Sequence, residues 1–252
     1  MNKKFLSTII ISCLLTAVAY AQPYCSVRIF NIRDGLAANT ISGIGQDKQQ
    51  LMWFSTWNGL CCFDGYRFTT FRDVAGKNEV LTSNRLLMAV PNTENNIWCT
   101  AYDKHPYVFD TKQCQFIDLA NIIKERYGID FHARKFYTLK NGYTWIAGLD
   151  GENIRIKDKA EEDGKYEMQL IGKDTPQLQD KSISKVLLDD DGREWIVTNK
   201  GTQIFGEKCI SKYKFEFLKQ AQSKVYLASL DGKMACYDTH NKQLKAIILC
   251  GG

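Results

Sequence analysis

Apolar and polar residues alternate along the chain in short runs, and turn-forming residues break the runs at short intervals. Alternation with a period of two is the pattern of a strand with one buried face. The stretch Ile41 to Asp47 predicts one strand, with Lys48-Gln49-Gln50 as the turn that follows it. Met52 to Thr56 predicts a second, Leu60 to Asp64 a third and Arg67 to Arg72 a fourth, with Trp57-Asn58-Gly59 as a tight turn between the second and third. Only Leu119 to Tyr127 places its apolar residues (Leu119, Ile122, Ile123 and Tyr127) at helical spacing. That spacing predicts a single short helix inserted between strand groups.

The strand group repeats. Trp53, Trp98, Trp145 and Trp195 recur at steps of 45, 47 and 50 residues, and Tyr226 takes the fifth place after a shorter step of 31. Nine residues before these anchors stand Ile44, Ala89, Phe136, Val186 and Phe217, and twelve before stand Ile41, Leu86, Ala133, Ile183 and Lys214. Six before stand Asp47, Asn92, Leu139, Asp189 and Gln220, mostly polar turn-formers; six after stand Gly59, Gly151, Gly201 and Gly232, with Lys104 as the exception. A glycine there is expected because a two- or three-residue hairpin requires positive φ. Repeated units of four strands are the blades of a β-propeller, in which neighbouring sheets bury each other's faces. The fold class is therefore all-β, with about five blades in residues 22–252.

The stretch Asp34-Gly35-Leu36-Ala37-Ala38-Asn39-Thr40-Ile41, followed by Gln46-Asp47, Met52 to Leu60 and Phe63-Asp64-Gly65-Tyr66, resembles the two-component regulator propeller repeat. Ser55 stands where that pattern usually has glycine, and Asp189, Trp195, Thr198 and Gly201 repeat it in the fourth unit. The resemblance implies the periplasmic sensor region of a hybrid two-component histidine kinase, a seven-bladed propeller that detects oligosaccharides. The family's blade number also implies that the five units, which follow a strand read at Ser26 to Ile32, form an incomplete ring, the alternative being an irregular closed ring of five blades, and that the kinase output resides elsewhere. An incomplete ring exposes strand edges and apolar blade faces, which predicts self-association, with a homodimer as its simplest form.

Before the repeat begins, Lys3 and Lys4, the apolar run Phe5 to Val18 and Ala19-Tyr20-Ala21 read as a cleavable signal peptide of residues 1–21. The expected location is the periplasm, with Gln22 as the mature N-terminus; a looser alternative is lipidation at Cys13. No later apolar run reaches the roughly 20 residues of a membrane span. Loss of Lys3 and Lys4 lowers the formal charge from +5 to +3, too weak a balance to imply a nucleic-acid partner. The cysteines sit irregularly within strand patterns, read as small hydrophobes, and show no metal-ligand spacing with histidine. No metal and no cofactor are expected.

Ligands of propellers gather on the face formed by the turns between second and third strands and the links between blades. That face collects Trp57, Asn58, Tyr102, Lys104, His105 and Arg85, the candidate ligand-binding residues, with Asn39 and Asn84 in the links. Aromatic rings beside amide and cationic donors suit sugars, whose apolar ring faces stack while their hydroxyls bond. Asn39 and Asn84 are also ordinary turn-formers. The three histidines, His105, His132 and His240, fall in different units, and no catalytic residue is assigned. The alternatives are a propeller scaffold for another protein and, more remotely, a polysaccharide lyase or hydrolase.

Overall fold

The computed structural model describes residues 26–247, apart from 75, 77, 78, 163, 173–177, 179 and 208. The proposed signal peptide and Cys13 lie outside the described residues. The chain divides into two units, Met1–Phe30 and Asn31–Gly252. In the first, residues 26–30 carry no helix or strand. The expected strand Ser26 to Ile32 is thus corrected: alternation alone does not make a strand without a partner for its backbone groups. The second unit opens instead with a 3-10 turn, Ile32–Asp34. The Asn31 side chain accepts from the Arg33 amide there, and the Asp34 carboxylate accepts from the Asn31 amide.

Five four-stranded antiparallel sheets follow, each a meander in chain order. The first holds β1 (Ile41–Gln46), β2 (Met52–Thr56), β3 (Gly59–Phe63) and β4 (Phe68–Phe71). The second holds β5 (Leu86–Pro91), β6 (Ile97–Ala101), β7 (Pro106–Asp110) and β8 (Gln115–Asp118). Helix α1 (Leu119–Tyr127) comes next. The third sheet is β9 (Ala133–Thr138), β10 (Tyr143–Gly148), β11 (Asn153–Lys157) and β12 (Met168–Ile171). The fourth is β13 (Ile183–Leu188), β14 (Glu194–Thr198), β15 (Gly201–Ile204) and β16 (Cys209–Ser211). The fifth is β17 (Phe217–Ala221), β18 (Lys224–Ala228), β19 (Met234–Asp238) and β20 (Gln243–Ile247). The short step before Tyr226 leaves β16 only three residues.

All five anchors lie on equivalent second strands. The sheets bury four successive apolar clusters, one at each junction, and each tryptophan packs forward onto the next sheet. Trp53 joins Tyr107 and Phe109, Trp98 joins Phe136 and Ile146, Trp145 joins Ile183 and Ile196, and Trp195 joins Val225 and Tyr237. Burying such rings supplies much of the stability of the stack. Tyr226 faces no further sheet among the described residues and stays 37% exposed. Helix α1 seals the second junction with Leu119 and Ile123. Asp118 caps its start by accepting from the Asn121 amide, and Gly128 ends it in the left-handed conformation.

Two features set the backbone geometry. Gly45 lets β1 approach β5, since a Cβ there would stand 2.4 Å from Pro91 Cδ and 2.7 Å from the Ala89 carbonyl oxygen. The position six after the anchor is left-handed in every sheet, with φ of +110° at Gly59, +89° at Gly151, +143° at Gly201, +83° at Gly232 and +71° at Lys104.

Each buried indole N–H needs an acceptor, and two solutions occur. Trp53 donates to Asp47 (2.8 Å) and Trp195 to Asp189 (2.9 Å), the residue six before it in its own sheet. The third unit has Leu139 at that place, and the second has Asn92. There the acceptor comes from the next sheet, from the residue just before the next tryptophan. Trp98 donates to the Thr144 hydroxyl (3.0 Å) and Trp145 to the Glu194 carboxylate (2.8 Å). Thr144 donates onward to Asp158, which also accepts from the Thr93 amide and hydroxyl of the second sheet. Glu194 is held by Arg155 at 2.7 and 2.8 Å, and the guanidinium lies 3.5 Å from the Tyr143 ring centroid.

Candidate functional site

Three of the six candidate residues meet. Thr40 O accepts from the Trp57 amide and Thr56 Oγ1 from the Asn58 amide, which fixes the β2–β3 turn with Trp57 outward and 46% exposed. Tyr102 occupies the same place in the β6–β7 turn and is 60% exposed. Arg85, at the entry to β5, sets its guanidinium 5.0 Å from the Trp57 ring centroid and 6.0 Å from that of Tyr102. Cation–π attraction holds the three as a platform of two rings bracketing a cation. No carboxylate pairs with Arg85 among the described residues, so its donors remain free for a ligand.

The other three serve the scaffold. Asn58 is half-buried and spends its side-chain amide on the Ala37 carbonyl. Lys104 acts through its backbone: its amide donates to Ala101 O, and its carbonyl accepts from the Ala133 amide of the third sheet. Its departure from glycine leaves the turn left-handed like the others. His105 turns away from the platform, with Nε2 2.8 Å from Asp118 Oδ1 and its ring 4.9 Å from that of Tyr107. His105, Asp118, Lys124, Asp130 and His132 line a separate cleft of about 460 Å³ beside α1. Lys124 pairs with Asp130 there at 2.7 Å.

The link asparagines are structural. Asn39 Oδ1 accepts from the Ile32 amide, and the Asn84 side chain bonds both the amide and the carbonyl of Asp73. His240 lies in the β19–β20 turn, where its amide donates to Asp238. Cys61, Cys62, Cys99, Cys114 and Cys236 are free thiols, and burial, helped by Asp47 and Asp64, pushes Cys62 up to about 11.

One regularity of this face went unread in the sequence. Trp57, Tyr102, Leu149, Asn199 and Leu230 all stand four residues after their anchors. Leu149 and Leu230 are 51% and 77% exposed, so large apolar side chains recur at one turn position in four of the five sheets. Reading the position four after each anchor, beside the position six after, is the signal that reveals it.

No protein-family model matches the chain, and no curated protein matches it in sequence. Solved structures do. The chain is similar to the extracellular domain of the one-component system BT4673 of B. thetaiotaomicron, with 16% identity and a TM-score of 0.52. That likeness covers 91% of this chain and 34% of the other, so the chain spans about a third of its relative, and it bears on fold alone. The extracellular domain of the hybrid two-component system BT3049 of the same organism gives 17% identity, a TM-score of 0.41 and coverage of 89% and 37%. A virginiamycin B lyase from Staphylococcus aureus with quinupristin gives 13% identity, a TM-score of 0.48 and coverage of 84% and 71%. No helix among the described residues is long and apolar enough to cross a membrane.

Proposed function

We propose that this chain is the ligand-sensing propeller region of an exported two-component regulator, and that it recognises an oligosaccharide on the Trp57–Arg85–Tyr102 platform. The observation that carries the reading is the bracketed guanidinium. Two exposed rings offer faces for pyranose stacking, and the cation between them offers donors to ring hydroxyls. The repeat resemblance and the fold likeness to an extracellular domain support the sensor role. The N-terminal charge and apolar pattern supports export. Sensing here is binding without turnover.

Leu149 and Leu230 favour a second reading, a protein-docking face, because exposed aliphatic side chains suit polypeptide better than sugar. One experiment separates the two. Protein recovered from the exported fraction, with an N-terminus expected at Gln22, is titrated calorimetrically with a panel of plant and host oligosaccharides. Trp57→Ala and Tyr102→Ala should each weaken binding about tenfold, the worth of one aromatic contact, while Leu149→Ser leaves it unchanged. Release of reducing ends, or binding that responds only to Leu149→Ser, would refute the proposal.

A further inference from the structure

Between the fourth and fifth sheets the same face carries a second concavity of about 350 Å³. Tyr213, in the link from β16 to β17, is held through its backbone: its amide donates to Ser211 Oγ, and its carbonyl accepts from the Thr202 hydroxyl. The residue is 39% exposed. Two ammonium groups flank it, Lys233 at 4.6 Å and Lys212 at 5.7 Å from the ring centroid. A third, Lys214, is positioned by a 2.9 Å bond to Asn199 Oδ1.

The two carboxylates present are already engaged. Glu216 accepts from the Leu230 amide, and Asp231 bonds Ser229 and pairs with Lys233. Neither Lys212 nor Lys214 has a carboxylate partner among the described residues. The pocket therefore presents an aromatic face with unneutralised cations at its edge, and its complement is a ring that carries an anionic group.

We propose that this pocket is an anion-reading subsite, in which Tyr213 stacks on a sugar ring while Lys212 and Lys214 take a carboxylate or sulfate attached to it. The inference rests on the oligosaccharide reading above and narrows it: the ligand is an acidic saccharide. Ammonium-to-anion bonds are charge-assisted and stronger than hydroxyl contacts, so they would dominate selectivity.

The test titrates the full chain with a sulfated disaccharide, a uronate disaccharide, a neutral disaccharide of the same linkage, inorganic sulfate and an acidic peptide. Lys212→Gln with Lys214→Gln should cost the acidic sugars about tenfold in affinity, the usual weight of a hydrogen bond to charge, and spare the neutral one. Tyr213→Ala should weaken the acidic sugars as well, and added salt should weaken them further. All these side chains are exposed at least in part, and unchanged melting temperatures will verify folding. If the sulfated and uronate sugars both bind, the subsite reads charge in general; if only one does, it reads that group. Equal binding of neutral and acidic sugars, insensitive to the lysines, would overturn the subsite and leave the sensor reading standing. Sulfate alone or the acidic peptide binding as tightly as the acidic sugars would also overturn it. Failure of every sugar, with Trp57→Ala silent, would bring down the reading beneath it.

Discussion

Glu194 serves three partners at once: it accepts the Trp145 indole N–H, pairs with Arg155 in two bonds and accepts from Asn141. Burial pushes its carboxyl up more than any single contact moves it, but the bonds from Arg155, Trp145 and Asn141 together outweigh burial and hold it below the ordinary range. A depressed carboxylate contributes stability that is fully present above its unfolded value and is lost as pH falls through its folded value. Glu194→Gln strands a buried guanidinium, so it should cost about 3 kcal/mol at neutral pH and flatten the decline in stability on acidification. Urea titrations of parent and variant at neutral and acid pH measure both effects; equal midpoints would show that the network contributes nothing. None of this was legible in the sequence, because Glu194 lies 49 residues from its tryptophan and reads only as the first residue of a strand. Asp47 and Asp189 were visible, but as turn-formers. Their role as indole acceptors appears only when the second strand folds back beside the turn.

Among elements, the second strands and α1 were the most legible, and for a physical reason. A tryptophan at each of four repeats marks the strand that must cover the next sheet, and apolar spacing alone placed the helix, whose ends the structure shows capped by Asp118 and Gly128. Elements without such internal marks were misread, as at Ser26 to Ile32, where partners rather than pattern decide. The candidate site was half legible. Turn position placed Trp57, Arg85 and Tyr102 on one face, but His105 was lost to Asp118, a contact made only because α1 begins beside the β6–β7 turn. The hairpin containing Lys104 offers a test of the repeat's geometry. Its left-handed backbone, with φ at +71°, strains any residue with a Cβ. Lys104→Gly should therefore stabilise the protein by about 1 kcal/mol and raise the melting temperature. A lower melting temperature would mean that the lysine side chain outweighs its backbone strain.

For the molecule as a whole, stability in a stacked repeat is a sum of sheet terms and nearest-neighbour terms. The two styles of indole bonding make those neighbour terms unequal. The first and fourth sheets satisfy their own tryptophans, whereas the second and third borrow acceptors from the sheet ahead. A borrowed acceptor cannot leave without orphaning a buried donor, so opening one inner sheet penalises its neighbour. The second, third and fourth sheets should accordingly open as a single cooperative block, while the first and fifth fray from either side of it. Native-state amide exchange would display this as one shared protection level for β5 through β15 and lower, independent levels for β2 and β18. Thr144→Val, which removes the acceptor of Trp98, should split the block between the second and third sheets. Separate protection of every sheet in the parent would show instead that the junctions are energetically alike. If the block holds, a platform whose Trp57 and Tyr102 stand on different sheets has one partner on the fraying side and one on the rigid side. Ligand capture there, as proposed above, would then clamp the first sheet onto the block, turning occupancy into a change of mechanical stiffness.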